Sequence, residues 1–150
     1  EVENRLAATG HCFYQEMLFS VMRTLILDFF DFHSRIDATQ KVYSFQRASV
    51  MNRFISMLER GDYRTRREVS HYASELCVTP KHLSEISRGI TGFSAGWWIN
   101  RFTLLDISRQ LRDKTQSISE IAETFNFNSL SYFTRYVTRH LGQSPSDYRG

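Results

Sequence analysis

Two stretches of this chain carry the same pattern of residue types 49 to 50 positions apart, and this repetition constrains the fold more than any other feature. At an offset of 49 the pairs are Val69/Ile118, Tyr72/Ile121, Ala73/Ala122, Leu76/Phe125, Cys77/Asn126 and Val78/Phe127. One extra residue moves the offset to 50, which pairs Leu83/Phe133, Ile86/Tyr136, Gly92/Gly142, Ser94/Ser144 and Trp98/Tyr148. Residue type is kept at every pair of the first set except the Cys77/Asn126 turn position. Each unit puts a small Ala inside a short helix, follows it with a turn of three to four residues, and ends in a second helix with an apolar inner face. That is the pattern of a helix-turn-helix, where the Ala lets the second helix cross closely and the turn bends the chain by about 90–120°.

Local signals agree with this division. Asn126 suits a left-handed turn residue, since Asn adopts that conformation more readily than most side chains. Thr79-Pro80 supplies an N-cap and a proline at the first helical position. Ser117-Ile118-Ser119-Glu120 is a capping box, and Thr65-Arg66-Arg67-Glu68 reads as another. Between the units, Ser94 to Asp113 reads as one unbroken helix that offers Trp97, Trp98, Ile99, Phe102, Leu105 and Leu111 to both halves. Twenty residues span about 30 Å, close to the 34–36 Å of one turn of B-DNA. Two second helices held that far apart can enter successive major grooves on one face of a duplex.

Upstream of the repeat the pattern is helical in a different way. Phe13, Met17, Val21, Leu25, Phe29 and Phe32 form one stripe, with Leu18, Met22, Ile26 and Phe30 beside it. Arg23, Asp28 and Asp31 interrupt this stretch, so no bilayer span is expected. Phe45, Ala48, Met51, Ile55 and Leu58 repeat the stripe as far as Gly61, a C′ glycine. The expected architecture is therefore all-α: an antiparallel helical pair, then two helix-turn-helix units joined by a long linker helix. The division falls at residues 1–62, a dimerisation or sensor-docking segment, and 63–150, the double unit. Scarce Gly (7) and Pro (2) also favour long helices over a turn-rich β fold.

Charge follows the same division. Residues 1–60 balance at seven basic and seven acidic, whereas residues 61–150 carry 12 against nine, so the whole net charge of +3 lies with the repeat. A surplus that small points to nucleic acid only where it is gathered on one face.

The run Ser117-Ile118-Ser119-Glu120-Ile121-Ala122, with Phe125-Asn126-Phe127, Tyr132-Phe133-Thr134-Arg135 and Gly142-Gln143-Ser144-Pro145-Ser146-Asp147-Tyr148-Arg149, resembles the signature of AraC/XylS-type bacterial transcription regulators. The first unit, from Arg67-Glu68-Val69 through Tyr72-Ala73 to Leu76-Cys77-Val78-Thr79-Pro80-Lys81-His82-Leu83-Ser84, is similar to a common variant of that family. The resemblance covers about residues 66–149. It implies a seven-helix, monomeric DNA-reading module with recognition helices at about residues 80–89 and 129–141. It also implies a cytoplasmic, nucleoid-associated bacterial protein that regulates, and typically activates, transcription, with RNA polymerase as a partner. Longer members often carry an upstream ligand-sensing barrel, and residues 11–60 resemble the helices that follow one. The chain opens on Glu1 and not Met, which reads as a piece of a longer protein.

The residues expected to meet double-stranded DNA lie on the outward sides of the two second helices: Lys81, His82, Ser84, Glu85 and Arg88 in the first, and Ser131, Tyr132, Thr134, Arg135 and Arg139 in the second. Arg can fork onto guanine, Glu can accept from the cytosine amino group, and Ser or Thr serves base or phosphate. Ser117, at a helix start, is expected to present backbone N–H groups to a phosphate. Trp97, Trp98, Phe127, Phe133 and Tyr148 are expected in the core, with Cys77 a small buried filler.

Other chemistry finds little support. His11, His33, His71 and His140 make no ligand spacing, so neither a metal nor another cofactor is expected. No phosphate-binding glycine loop, serine elbow or carboxylate pair is evident, and no enzyme activity is expected. Two cysteines 65 positions apart favour a reducing compartment. Two alternatives stay open: a DNA-binding module linked to an alkyl-transfer enzyme, for which only Cys12 offers a thiol, and a degenerate helix-turn-helix used for protein contact. The double stripe of residues 11–58 predicts a homodimer, because soluble monomers rarely expose so large an apolar patch.

Overall fold

Helix boundaries fall where the sequence places hydroxyl caps and glycines. The computed structural model describes residues 38–150 and, ahead of them, residues 20, 21, 23–25 and 28, which are also helical. Seven α-helices follow one another: α1 (Ala38–Arg60), α2 (Val69–Glu75), α3 (Pro80–Thr91), α4 (Ala95–Arg112), α5 (Ile118–Thr124), α6 (Leu130–Leu141) and α7 (Pro145–Arg149). One 3₁₀ turn, Asp62–Arg64, lies between α1 and α2. No strand occurs among the described residues, so the fold is all-α as expected. No helix among them is long and apolar enough to cross a membrane.

The two units are α2–turn–α3 and α5–turn–α6, and the linker helix is α4. Ser94 caps α4 by accepting from the Trp97 N–H, and its 18 residues span about 27 Å. A single core runs through the chain. Met51, Phe54 and Leu58 of α1 meet Tyr72, Leu83 and Ile86 of the first unit; Trp98, Ile99, Phe102 and Ile107 of α4 carry the packing on to Ile121, Phe125, Phe133 and Val137 of the second. The C-terminal half of α1 thus shares the core of the double unit, and no gap in the packing coincides with the chain division at 62/63. Ahead of α1, Arg23 Nη2 lies 3.4 Å from Glu59 Oε2, which sets residue 23 beside the end of α1. Cys12 and the stripe residues Phe13, Met17, Leu18, Met22, Ile26, Phe29, Phe30 and Phe32 lie outside the described residues.

Four local expectations are corrected. Thr65 does not open a capping box: α2 begins at Val69 with Glu68 as its N-cap, and the Thr65 hydroxyl turns back to the Asp62 carbonyl at 3.4 Å. The repeat itself explains this, since the position equivalent to Ser117 at an offset of 49 is Glu68. Phe45 is 65% exposed, although Ala48, Met51, Ile55 and Leu58 of the same stripe are buried. Trp97 is 39% exposed and stacks on Phe93 with ring centroids 4.0 Å apart. Its place in the core belongs to Trp98, whose indole N–H donates to Thr91 Oγ1 at 2.8 Å. Cys77 is exposed and not a buried filler, because its backbone at φ 57° turns the side chain out of the bend.

Candidate nucleic-acid interface

The two outer helices are presented by the same backbone device used twice. In the first unit the Val78 N–H donates to the Ala73 carbonyl at 3.0 Å; in the second the Phe127 N–H donates to Ala122 at 3.0 Å. The residue between, Cys77 at φ 57° or Asn126 at φ 52°, is the only non-glycine with positive φ in its unit. The next helix then starts from a hydroxyl cap: Thr79 accepts from the His82 N–H at 3.1 Å, and Ser129 from the Tyr132 N–H at 3.2 Å. Each ends on a left-handed glycine, Gly92 or Gly142, whose N–H donates to the carbonyl four residues back at 2.9 Å. Buried Ala73 and Ala122 let these helices cross closely, as the sequence pattern requires.

What turns inward is apolar and what turns outward is polar. Leu83 and Ile86 of α3, and Phe133 and Val137 of α6, are buried. Lys81, Glu85 and Arg88 are exposed on α3, with His82 and Ser84 half-buried. Ser131, Tyr132, Arg135 and Arg139 are exposed on α6, with Thr134 half-buried. At an offset of 50 these faces superpose as Lys81/Ser131, His82/Tyr132, Ser84/Thr134 and Glu85/Arg135. Thr138, also exposed, is the counterpart of Arg88 and was legible from the same offset, though the residue-type reading passed it over.

The two faces differ electrostatically. Glu85 sits between Lys81 Nζ at 3.9 Å and His82 Nδ1 at 4.0 Å, so the acidic group of α3 is bracketed by its own helix. On α6, Arg135 and Arg139 are one turn apart and share a face. His140 is packed against Tyr136 with ring centroids 4.7 Å apart. Partial desolvation against Tyr136, together with the neighbouring Arg139 charge, holds its imidazole below the usual histidine range. Gly89 occupies the position of Arg139 in the first unit. A Cβ there would come 2.9 Å from Arg47 Nη2 of α1, which fills that side of α3.

Ser117 is committed locally. Its hydroxyl accepts from the Glu120 N–H at 3.2 Å, and its own N–H donates to Glu120 Oε2 at 2.7 Å, completing the anticipated capping box. These bonds hold the Glu120 carboxyl below the usual carboxylate range. The helix start expected to meet a phosphate therefore carries a carboxylate. Among the described residues no group of three or more His, Cys, Asp or Glu is arranged to hold a metal.

The relation between the units is set by features the sequence reading did not find. Asp106, fully buried in the middle of α4, accepts from Arg64 Nε at 2.7 Å, Tyr63 Oη at 3.1 Å, Arg109 Nη2 at 3.1 Å and Gln110 Nε2 at 3.3 Å. Burial alone would raise its pKa; the Arg64 bond and charge, with Gln110 and Tyr63, hold it below the usual carboxylate range instead. The strand of chain from Tyr63 to Arg67 thus lies along the linker helix. It continues to the second unit, where Arg67 donates to the Phe125 carbonyl and its guanidinium lies 4.2 Å from the centre of the Phe127 ring. An acid at 106 among the hydrophobic positions of the linker helix, facing a cluster of arginines at 64–67, was the available signal.

Comparison with known proteins agrees with this geometry. A helix-turn-helix domain family matches residues 72–150. The probable transcription factor PqrA of Proteus vulgaris is 31% identical over 68 residues, 45% of this chain and 56% of that one. The HTH-type transcriptional activator AarP of Providencia stuartii is 27% identical over 114 residues, 76% of this chain and 83% of that one. Among solved structures, the DNA-binding domain of the global transcriptional factor AdpA, in complex with a target DNA, is similar in fold. Its TM-score is 0.55 at 24% identity, over 69% of this chain and 88% of that one. The chain spans little more than half of PqrA. With the doubled unit, its left-handed turns and its linker helix in place, the chain belongs to the AraC-type helix-turn-helix family.

Proposed function

We propose that the chain is a sequence-specific, DNA-binding transcription regulator that acts by binding and not by catalysis. In this reading α3 and α6 enter successive major grooves of one duplex. Lys81, His82, Ser84, Glu85 and Arg88 meet one half of an asymmetric site; Ser131, Tyr132, Thr134, Arg135 and Arg139 meet the other. The observation that carries it is the register of the two outward faces on one backbone device, with equivalent positions at an offset of 50 and opposite charges at Glu85 and Arg135. Phosphate contacts set the position on the duplex, and base contacts set the sequence.

Selection of bound fragments from random duplex DNA, followed by anisotropy titration on the winner, tests this directly. The expected result is one preferred, non-palindromic site, with log K falling as salt rises by about 0.9 per phosphate neutralised. Enrichment of no sequence, or a flat salt response, would overturn the reading.

Protein partners belong to the same proposal. RNA polymerase is proposed on the strength of relatives named as transcriptional activators, such as AarP. A second copy of the chain is proposed through residues 11–58, supported by the apolar stripes between Phe13 and Phe32. Met51, Ile55 and Leu58 are already buried within the chain, so the upstream stripes would carry that contact. The proposed location is the bacterial cytoplasm, at the nucleoid.

A further inference from the structure

The packing that joins the two units runs through α4, and one side chain outside that helix reaches from the start of the first unit into the turn of the second. Arg67 stands two residues before α2 begins. Its Nη1 donates to the Arg64 carbonyl at 3.2 Å and to the carbonyl of Phe125, the C-cap of α5. Its guanidinium covers the face of Phe127 at 4.2 Å, a cation–π contact on a ring that is itself in the core. Phe127 then touches three residues of the outer helix α6: Tyr132 at 5.7 Å, Phe133 at 5.1 Å and Tyr136 at 5.2 Å between ring centroids. Next to this contact, Asn126 Nδ2 donates to the Thr65 carbonyl at 3.5 Å.

The near end of the strap is equally fixed. The Tyr72 hydroxyl donates to the Arg66 carbonyl at 3.0 Å, tying the strap to the first unit's core, and Arg64 and Tyr63 anchor it to Asp106 of the linker helix. One short segment is therefore bonded to the first unit, to α4 and to the turn that aims α6. Arg67 is the part that reaches across. The planar guanidinium suits it to bond a carbonyl at its edge while stacking on a ring with its face, which a lysine cannot reproduce in full.

We infer that Arg67 is a positioning residue for DNA recognition: it holds the second helix-turn-helix unit against the first at the separation and rotation that two successive major grooves demand. This rests on the DNA-binding reading above. Without Arg67 the second unit is held to the first through the packing on α4 and the single Asn126–Thr65 bond, so Arg67 adds a fixed point away from that helix. Two linked readers gain affinity over one only when both can engage at once. Changing the distance between half-sites by one base pair turns them by about 34° relative to each other, given 10–10.5 base pairs per turn. A rigid pair rejects that change, and a loosened pair tolerates it.

The test uses the full chain and the duplex selected by it, together with versions carrying one inserted or deleted base pair between the half-sites, and versions with either half scrambled. For Arg67→Ala, affinity for the intact site is expected to fall about ten-fold while affinity for each half-scrambled duplex is unchanged, and the penalty for the inserted base pair shrinks toward none. Arg67→Lys, which keeps the charge and one donor, is expected to recover part of the spacing preference. Circular dichroism and thermal melting check that both variants are folded. Equal losses on intact and half-scrambled duplexes would overturn the inference, because a general loss of fold weakens every contact alike. An unchanged spacing profile in both folded variants would overturn it too. If the unsubstituted chain selects no duplex, the DNA reading itself falls and takes this inference with it, an outcome distinct from the other two.

Discussion

Glu85 and Arg135 occupy the same place in the two units at an offset of 50, and the proposed readout turns on their opposite charges. Arg135 is exposed in the first turns of α6, where a guanidinium can fork onto guanine. Arg135→Ala should cost about 1–3 kcal/mol of binding and relax preference at one base position, measured by titration against single-base variants of the selected site. Glu85 lies near Lys81 and His82 on the exposed face of α3, where the proposed readout has it accept from a cytosine amino group. Glu85→Ala should broaden specificity in one half-site; a uniform rise in affinity on all sequences would contradict this. The turn residues make a separate prediction. Cys77 is exposed yet left-handed, so Cys77→Gly relieves strain without losing packing and should raise stability by about 0.5–1 kcal/mol in chemical denaturation. Asn126→Gly should gain less, since Asn tolerates that conformation and its amide bonds Thr65. Asn126 announced its conformation in the sequence; Cys77 did so only by its register with Asn126.

At the level of elements, caps and a buried acid set the boundaries and angles. Ser117→Ala should cost about 1 kcal/mol, because it removes one arm of the capping box at α5. Asp106 is the larger effect. Asp106→Ala leaves the Tyr63 hydroxyl without its acceptor and Arg64 without its counter-charge, although Arg64 is exposed enough to turn to water. A loss of about 2–3 kcal/mol is expected, below the range for breaking a fully buried pair. The pH dependence has a fixed sign. Because the folded carboxyl is held below its unfolded value near 4, its contribution is complete above about pH 4 and lost as pH falls through the lower folded value. Denaturation of the wild-type chain and of Asp106→Asn should therefore differ at pH 7 and converge in acid. The helices themselves were legible, since periodicity, Thr79-Pro80, Ser94, Ser117 and the two glycines each state a boundary. The Asp106 network was harder to read, because Arg109 and Gln110 are helical neighbours but Tyr63 and Arg64, which tie the linker helix to the preceding segment, lie more than 40 residues away in sequence.

Taken whole, the molecule is two copies of one reading unit on a shared core, with α1 completing that core on the side of the first unit. The repeat and the family signature made this architecture and the outward faces readable from the sequence. The strap from Tyr63 to Arg67 escaped because Thr65 and Glu68 imitate a capping box, and a local motif outweighed the register that would have corrected it. Exposed Phe45 and Trp97 escaped for a related reason: a periodic stripe gives the direction of a side chain, but not whether a neighbour already fills the space. Low net charge has a consequence at this scale as well, since a surplus of only +3 makes affinity depend on placed contacts more than on a general field. The central claim is that one chain lays both outer helices into one duplex, each reading different bases. Missing-base footprinting on the selected duplex tests it most directly. The account predicts two separated clusters of required bases on one face of the DNA, about one helical turn apart and unrelated in sequence, with Glu85→Ala altering one cluster and Arg135→Ala the other. A single cluster of required bases, or two that are mirror copies affected alike by both substitutions, would contradict it.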